Sequence, residues 1–382
     1  MLRMCVFFCT FAENFNCTMA FSRTYYRVAE HLFAVESSYS ELLQCMTNYE
    51  PFKEPTPNPS LKGRELGEEI FTLCVEKAIG ERLKARGEGW THVMTDNAEE
   101  DMPRIEVYRS SLEDARRASY SLEDASLSAP QKSADFSGTP QQFRGGGWLF
   151  RVAMVANAPI CCEMECSEDF TQGVLRITAD CQDVRFCIDN ALMLLFAFRT
   201  APLMTLEMHA AVVVKADRCA VRCQTAALLD RPNGLIDQQE LGYLFLGHSG
   251  TGKSTHARMW LEAFDDAWLL NDDNPILRVM DDGEVRVYGS PWSGKTPCYN
   301  NAHARVGGIV KLSQAPHNKI RTISLPEAYA YMLSSASGLK MDRQMADSMY
   351  ETIKHVITHV KCYHLDCLPN TEAAEVALRG MV

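Results

Sequence analysis

The 382-residue sequence predicts a mostly β N-terminal domain, then an α/β domain holding a P-loop, then a short α-rich C-terminal segment. Three observations carry that expectation. Short runs rich in aromatic and β-branched residues recur between Tyr25 and Thr178, as strands do. Residues 206–325 alternate short apolar strands with helix-like segments, the pattern of helices layered on a sheet. Within them GHSGTGKST, residues 247–255, follows an apolar run and precedes a helical one.

Taken in order, Met4–Ala12 is apolar and follows Arg3, a short and weakly charged echo of a signal peptide. The preferred reading starts translation at Met19, with residues 1–18 non-native or disordered. Residues 19–205 then form the β-rich domain. Its strands are Tyr25–Val35, Ile70–Val75, Leu149–Ala156 and Gly173–Thr178. Residues 97–146 are polar, and Ser111-Leu112-Glu113-Asp114-Ala115 recurs as Ser121-Leu122-Glu123-Asp124-Ala125. That composition reads as a disordered insertion. Val184–Phe198 is long and rich in Leu, Met and Ala, a buried helix leading into the next domain.

The second domain, 206–325, begins with a strand at Leu206–Lys215 and an insertion at 216–241. A strand at Gly242–Leu246, a helix at His256–Phe264 and a strand at Asp266–Leu270 follow, the last ending in Asn271-Asp272-Asp273. Val285–Tyr288 and Gly308–Leu312 are further strands. Residues 326–382 read as helices at Glu327–Ser334, Asp342–His359 and Thr371–Leu378, with a strand at Val360–Leu365.

Composition narrows the function. A net charge of −11 leaves no basic excess for a nucleic-acid partner. No run of 18 apolar residues suggests a membrane span. The 15 cysteines form no evident disulfide framework. Cys161, Cys162 and Cys166 lack a second Cys/His pair at zinc-finger spacing and read as reduced thiols of a cytoplasmic protein. His355 and His359, four apart, read as one helix face.

The loop carries the chemistry. Gly247, Gly250 and Gly252 let the backbone bend so that N–H groups meet phosphate oxygens. His248, Ser249, Thr251 and Thr255 complete the cradle. The next helix adds its positive end. Lys253 is placed for the β- and γ-phosphates, and Ser254 offers a hydroxyl to Mg²⁺. Asp272 and Asp273, about 20 residues on at a strand end, suit a division of labour between general base and metal ligand. GSPWSGKT, residues 289–296, adds Ser293 and Lys295 as phosphate or substrate contacts, or a loop that Trp292 merely anchors.

Together these residues resemble the HPr kinase/phosphorylase and phosphoenolpyruvate carboxykinase superfamily. The resemblance rests on His209 in MHAAV, on GHSGTGKST and on Asp272-Asp273. The carboxykinases share SGTGKST and the Met208-His209 dipeptide; HPr kinases normally carry Glu where Thr255 stands. LLNDDNP, YGSPWSGKTPCY and CYHLDCLP are similar to HPr-kinase-like bacterial proteins. The resemblance implies a P-loop kinase-like domain using ATP and Mg²⁺, with Asp272 as base and Ser254 with Asp273 on the metal. His209 would orient the Asp pair, and Lys295 and Arg305 would stabilise the transferred group. The acceptor is a hydroxyl on a protein, a peptide or a small molecule, and a homo-oligomer is expected by analogy. A phosphoenolpyruvate-carboxykinase-like enzyme and a non-catalytic nucleotide-binding regulatory module remain as alternatives.

Overall fold

The computed structural model describes residues 22–55, 68–77, 90–97, 103–110, 147–216, 240–294 and 296–381. The start segment 1–18 with Met19, the Ser111–Ala115 and Ser121–Ala125 repeat, residues 217–239 and Lys295 lie outside them.

The first sheet contains β1 (Ser22–Val28), β2 (His31–Ser37), β3 (Lys53–Glu54), β4 (Glu69–Lys77), β5 (Thr91–Asn97), β6 (Arg104–Ser110), β7 (Gly147–Ala153), β8 (Ile160–Ser167) and β9 (Gln172–Ile177). Their order is β3-β1-β2-β4-β9-β8-β7-β6-β5. Helix α1 (Val184–Thr200), capped by Asp183 accepting from the Phe186 N–H, packs on β4, β8 and β9. Val184–Leu203 is apolar and long enough to cross a membrane by composition alone, but more than half of it is buried in the protein.

The second sheet runs β10-β14-β15-β16-β12-β11-β13. These strands are β10 (Thr205–Glu207), β11 (Ala210–Ala216), β12 (Glu240–Leu246), β13 (Ala267–Asn271), β14 (Ile276–Val279), β15 (Val285–Tyr288) and β16 (His303–Gln314). Strand β18 (Cys362–Cys367) pairs with β16, and β17 (Lys319–Thr322) pairs with β18. Side chains alternate across this sheet with the period of two that strands impose. Val213, Tyr243, Phe245 and Val310 meet α2 (Lys253–Ala263) and α5 (Thr371–Met381) on the outer face. Val212, Leu244, Leu246 and Ile309 join α1, α3 (Leu325–Ser335) and α4 (Arg343–His359) in one core that continues into the first sheet.

The expected α/β P-loop fold with a short α-rich tail is therefore corrected. Among the described residues strand exceeds helix, 42% against 29%, in two large mixed sheets. The C-terminal segment contributes to the second sheet, with β18 running parallel to β16.

Four local readings change as well. The expected strand Tyr25–Val35 is a hairpin, turning at Ala29 and Glu30, both with positive φ. No Gly or Asn marks that turn. Tertiary contacts hold it instead: Arg278 donates to the Ala29 carbonyl at 2.6 Å, and Tyr288 donates to Glu30 at 2.6 Å. Arg104–Ser110, assigned to the insertion, is a strand paired with β7. Ile160–Ser167 went unrecognised because Cys and Met fill its inner face. Its outward Glu163 and Glu165 pair with Arg151 and Arg176. The strand Leu206–Lys215 breaks at Met208-His209, where Met208 bridges to Ala336.

One tryptophan joins the two sheets. Trp292 is 2% exposed; its ring meets Tyr49 and Phe196 edge-on, and its Nε1 donates to the Tyr49 hydroxyl at 2.8 Å. Tyr49 in turn donates to Asp189 on α1 at 2.8 Å. Trp292→Ala is expected to cost about 3–5 kcal/mol, read as a fall in the urea midpoint. An unchanged midpoint would contradict this packing.

Candidate functional site

Antiparallel pairing sets the site. Ala210, at the start of β11, faces Leu246 at the end of β12. Val212 faces Asn271 at the end of β13. The residue before β11, His209, is thereby brought to the edge where β12 and β13 finish. The parallel strand β16 brings Lys311 opposite Leu246 at the same edge.

The glycine-rich loop leaves β12 here. A turn closes it, the Thr251 N–H donating to the His248 carbonyl at 3.2 Å. Gly250 and Gly252 take φ of +76° and +102°, where a side chain is strained. Gly252 caps α2, whose first-turn N–H groups have no acceptor within the helix. His248, Ser249, Gly250 and Ser254 are exposed, and Thr251, Gly252 and Thr255 are half-buried. A Cβ on Gly247 would come within 3.0 Å of the Thr251 side chain, so the loop packs tightly at its entry.

Lys253 is the loop's one buried cation, 7% exposed. Its ammonium donates to the Gly247 carbonyl at 3.0 Å and lies 3.0 Å from His209 Nε2. Burial lowers the lysine's proton affinity, which Asp273 partly restores. Burial, then the Lys253 charge, lowers that of His209 too, favouring a neutral imidazole that accepts from the ammonium. His209 Nε2 is also 3.4 Å from Asp273 Oδ1.

The carboxylate pair rests on Asn271. Its Oδ1 accepts from the N–H groups of Asp273 and Asn274, both at 2.9 Å. Its Nδ2 donates to the Trp292 carbonyl at 3.0 Å. This fully buried amide fixes the turn presenting both acids and ties it to the Gly289–Thr296 loop. Asp272 is 5% exposed. Burial raises its carboxyl, opposed by the nearby Ser254 and Thr296 hydroxyls, and its Oδ1 has no hydrogen-bonding partner among the described residues. Gly294 sits against Asp273, where a Cβ would come within 3.3 Å. The Ser293 hydroxyl donates to the Thr296 carbonyl at 2.6 Å, turning that loop back.

Arg305 lies elsewhere. It pairs in register with Leu241, at the start of β12, and with Glu284 at 3.5 Å. Five residues of strand, roughly 17 Å, separate that level from the glycine loop. Lys311 takes the position expected of Arg305: half-buried, lowered by burial, and repelling Lys253. Gln314 braces the loop by donating to the Gly250 and Thr251 carbonyls at 3.3 and 3.4 Å. Neither was evident from sequence, since their only signal is the register of a parallel strand. His355 and His359 stack at 4.0 Å, and their ring nitrogens face the Gly283 and His355 carbonyls. They hydrogen-bond to carbonyls near the end of α4.

Glu207 was also missed. It is 1% exposed, and among the described residues neither carboxylate oxygen is within hydrogen-bond geometry of a donor, although Ser337 is near. Burial, then the Asp273 charge, pushes its carboxyl up to about 8. The folded chain therefore retains a proton that the unfolded chain releases near the ordinary carboxyl range. Stability from this group is present in acid and lost as pH rises through about 8, roughly 3 kcal/mol between about pH 5 and pH 8. Glu207→Gln should remove that slope from urea midpoints taken at the two pH values; equal slopes would contradict it.

No family model matches this chain, and no curated protein is significantly similar to it in sequence.

Proposed function

We propose that the chain is an ATP-dependent phosphotransferase that passes the γ-phosphate to a hydroxyl acceptor. One observation carries the reading. Lys253 at the start of α2, His209 just before β11 and Asp273 just after β13 converge, with His209 Nε2 3.0 Å from the lysine and 3.4 Å from the carboxylate, and Asp272 is the neighbouring residue. The resemblance of these residues to HPr-kinase-like proteins supports the same conclusion.

The glycine loop and the first turn of α2 would receive the phosphates, with Lys253 turning from its carbonyl partners toward them. Lys311 adds a second cation at the same level. Ser254 and Asp273 both adjoin Asp272. They offer the hydroxyl and carboxylate oxygens that suit Mg²⁺, which supplies charge neutralisation on the phosphates when bound. Asp272 takes the proton of the acceptor hydroxyl on its carboxylate, whose proton affinity burial raises. The acceptor oxygen bonds to the γ-phosphorus as the β–γ bridging oxygen leaves with ADP. Neutral His209 accepts from Lys253 and holds it in place.

Calorimetry tests the binding half of this reading. MgATP titrated into the full chain should bind, and ADP should bind more weakly because it lacks the contacts of the γ-phosphate. No heat with either nucleotide would overturn the assignment.

A further inference from the structure

β8 carries a bulge: Val152 faces Cys162 while Ala153 faces Ile160, leaving Cys161 as the extra residue. Adjacent side chains on a regular strand point to opposite faces, and a bulge re-aims one of them. Cys161 and Cys162 are both buried, and their sulfurs and that of Cys187 all lie within 4.8 Å of one another. Cys187 sits in the first turn of α1. Its sulfur is 3.7 Å from Cys161 and 3.4 Å from Cys181, which lies half-buried in the turn before the helix. The strand and the helix thus bring three thiols together, and the turn adds Cys181 beside Cys187, remote in role from the Asp pair and the glycine loop. Cys166, on the same strand and fully buried, is outside the group.

We infer that Cys161, Cys162, Cys187 and Cys181 bind one zinc ion as a structural tetrathiolate site. With Zn–S bonds of about 2.3 Å, tetrahedral sulfurs sit about 3.8 Å apart. The 3.7 Å Cys161–Cys187 and 3.4 Å Cys181–Cys187 separations need only small movements to reach this, and the half-buried Cys181 closes toward Cys161 and Cys162 to complete the tetrahedron. An all-sulfur donor set selects a soft or borderline metal over Mg²⁺ or Ca²⁺. Binding replaces thiol protons by the ion and releases them to water. The buried sulfurs come from the sheet and the helix, and Cys181 forms the partly exposed arm through which the ion enters. The bound ion ties the β8 bulge to the start of α1, the helix beneath both sheets.

The test uses the reduced full chain, stripped with chelator and then titrated with zinc or with Co²⁺. The expected result is one zinc per chain by elemental analysis. Co²⁺ should give thiolate charge-transfer bands with a tetrahedral ligand-field spectrum. Cys187→Ser should lose stoichiometric zinc, and Cys166→Ser, an equally buried neighbour, should keep it. The Co²⁺ titration of the unsubstituted chain needs no variant, so a folding defect in Cys187→Ser cannot decide the matter. A chain that takes up no zinc with its thiols reduced would overturn the proposal. So would an octahedral Co²⁺ spectrum, or a Cys181–Cys187 disulfide in protein purified without reductant.

Discussion

Asp272→Asn should slow γ-phosphate transfer by about 10²–10⁴-fold while leaving MgATP affinity within a few-fold of the original. The substitution keeps the size of the side chain and removes its affinity for a proton. That affinity is what the fold has built. Burial raises the Asp272 carboxyl, and Oδ1 has no hydrogen-bonding partner among the described residues. Binding should survive because Lys253, the principal cation facing the phosphates, remains. Losing the negative charge of Asp272 also removes a repulsion of the triphosphate. The check compares single-turnover transfer, to water or to an acceptor, with a nucleotide titration of the same preparation. Parallel loss of rate and affinity would contradict the role of base. Asp273→Asn is expected to behave differently and weaken the Mg²⁺-dependent part of nucleotide binding.

Lys253→Ala should weaken MgATP binding by about 2–4 kcal/mol, or roughly 30- to 1000-fold. Lys253 is a 7%-exposed ammonium held by the Gly247 carbonyl and His209. Its hydrogen-bonding partners are neutral acceptors, and the Asp273 and Asp272 charges nearby offset its own only in part. Lys253→Arg should rescue little, because a planar guanidinium does not fit a pocket shaped around a compact ammonium. Removing the lysine also lifts the charge that, with burial, depresses His209. The His209 titration should therefore move upward, and an NMR pH series can follow it. Equilibrium dialysis with labelled ATP measures the main effect. Unchanged affinity in a folded Lys253→Ala protein would remove the loop from the account.

The parts of the site legible in sequence were those whose signal is local. Strand, glycines, lysine and helix lie within about 20 residues, and each type has a backbone reason to be there. Asp272 and Asp273 were legible because they end an apolar run. Long-range register supplied the rest. Nothing near Lys311 distinguishes it from a surface lysine until β16 is paired with β12. The same pairing moves Arg305 to the wrong end of the strand. Glu207 reads as an ordinary strand carboxylate, and only its burial makes it unusual.

The fold was misjudged for a related reason. Hydrophobic periodicity underweights strands whose inner face is Cys and Met and whose outer face is an ion-pair ladder, as in β8. It also read the C-terminal residues as a separate segment of three helices and one strand, Val360–Leu365, because no local signal tells which sheet that strand joins. In the structure that strand is β18, which extends the second sheet beside β16.

The most direct test of the central claim uses the full chain, γ-labelled ATP and Mg²⁺, incubated with a fractionated extract beside Asp272→Asn and Lys253→Ala. The account predicts label on a protein or small molecule with the unsubstituted chain only, bound through a hydroxyl and stable to conditions that release acyl phosphates. Equal labelling by Asp272→Asn, or binding of MgATP with no label on any acceptor, would contradict it.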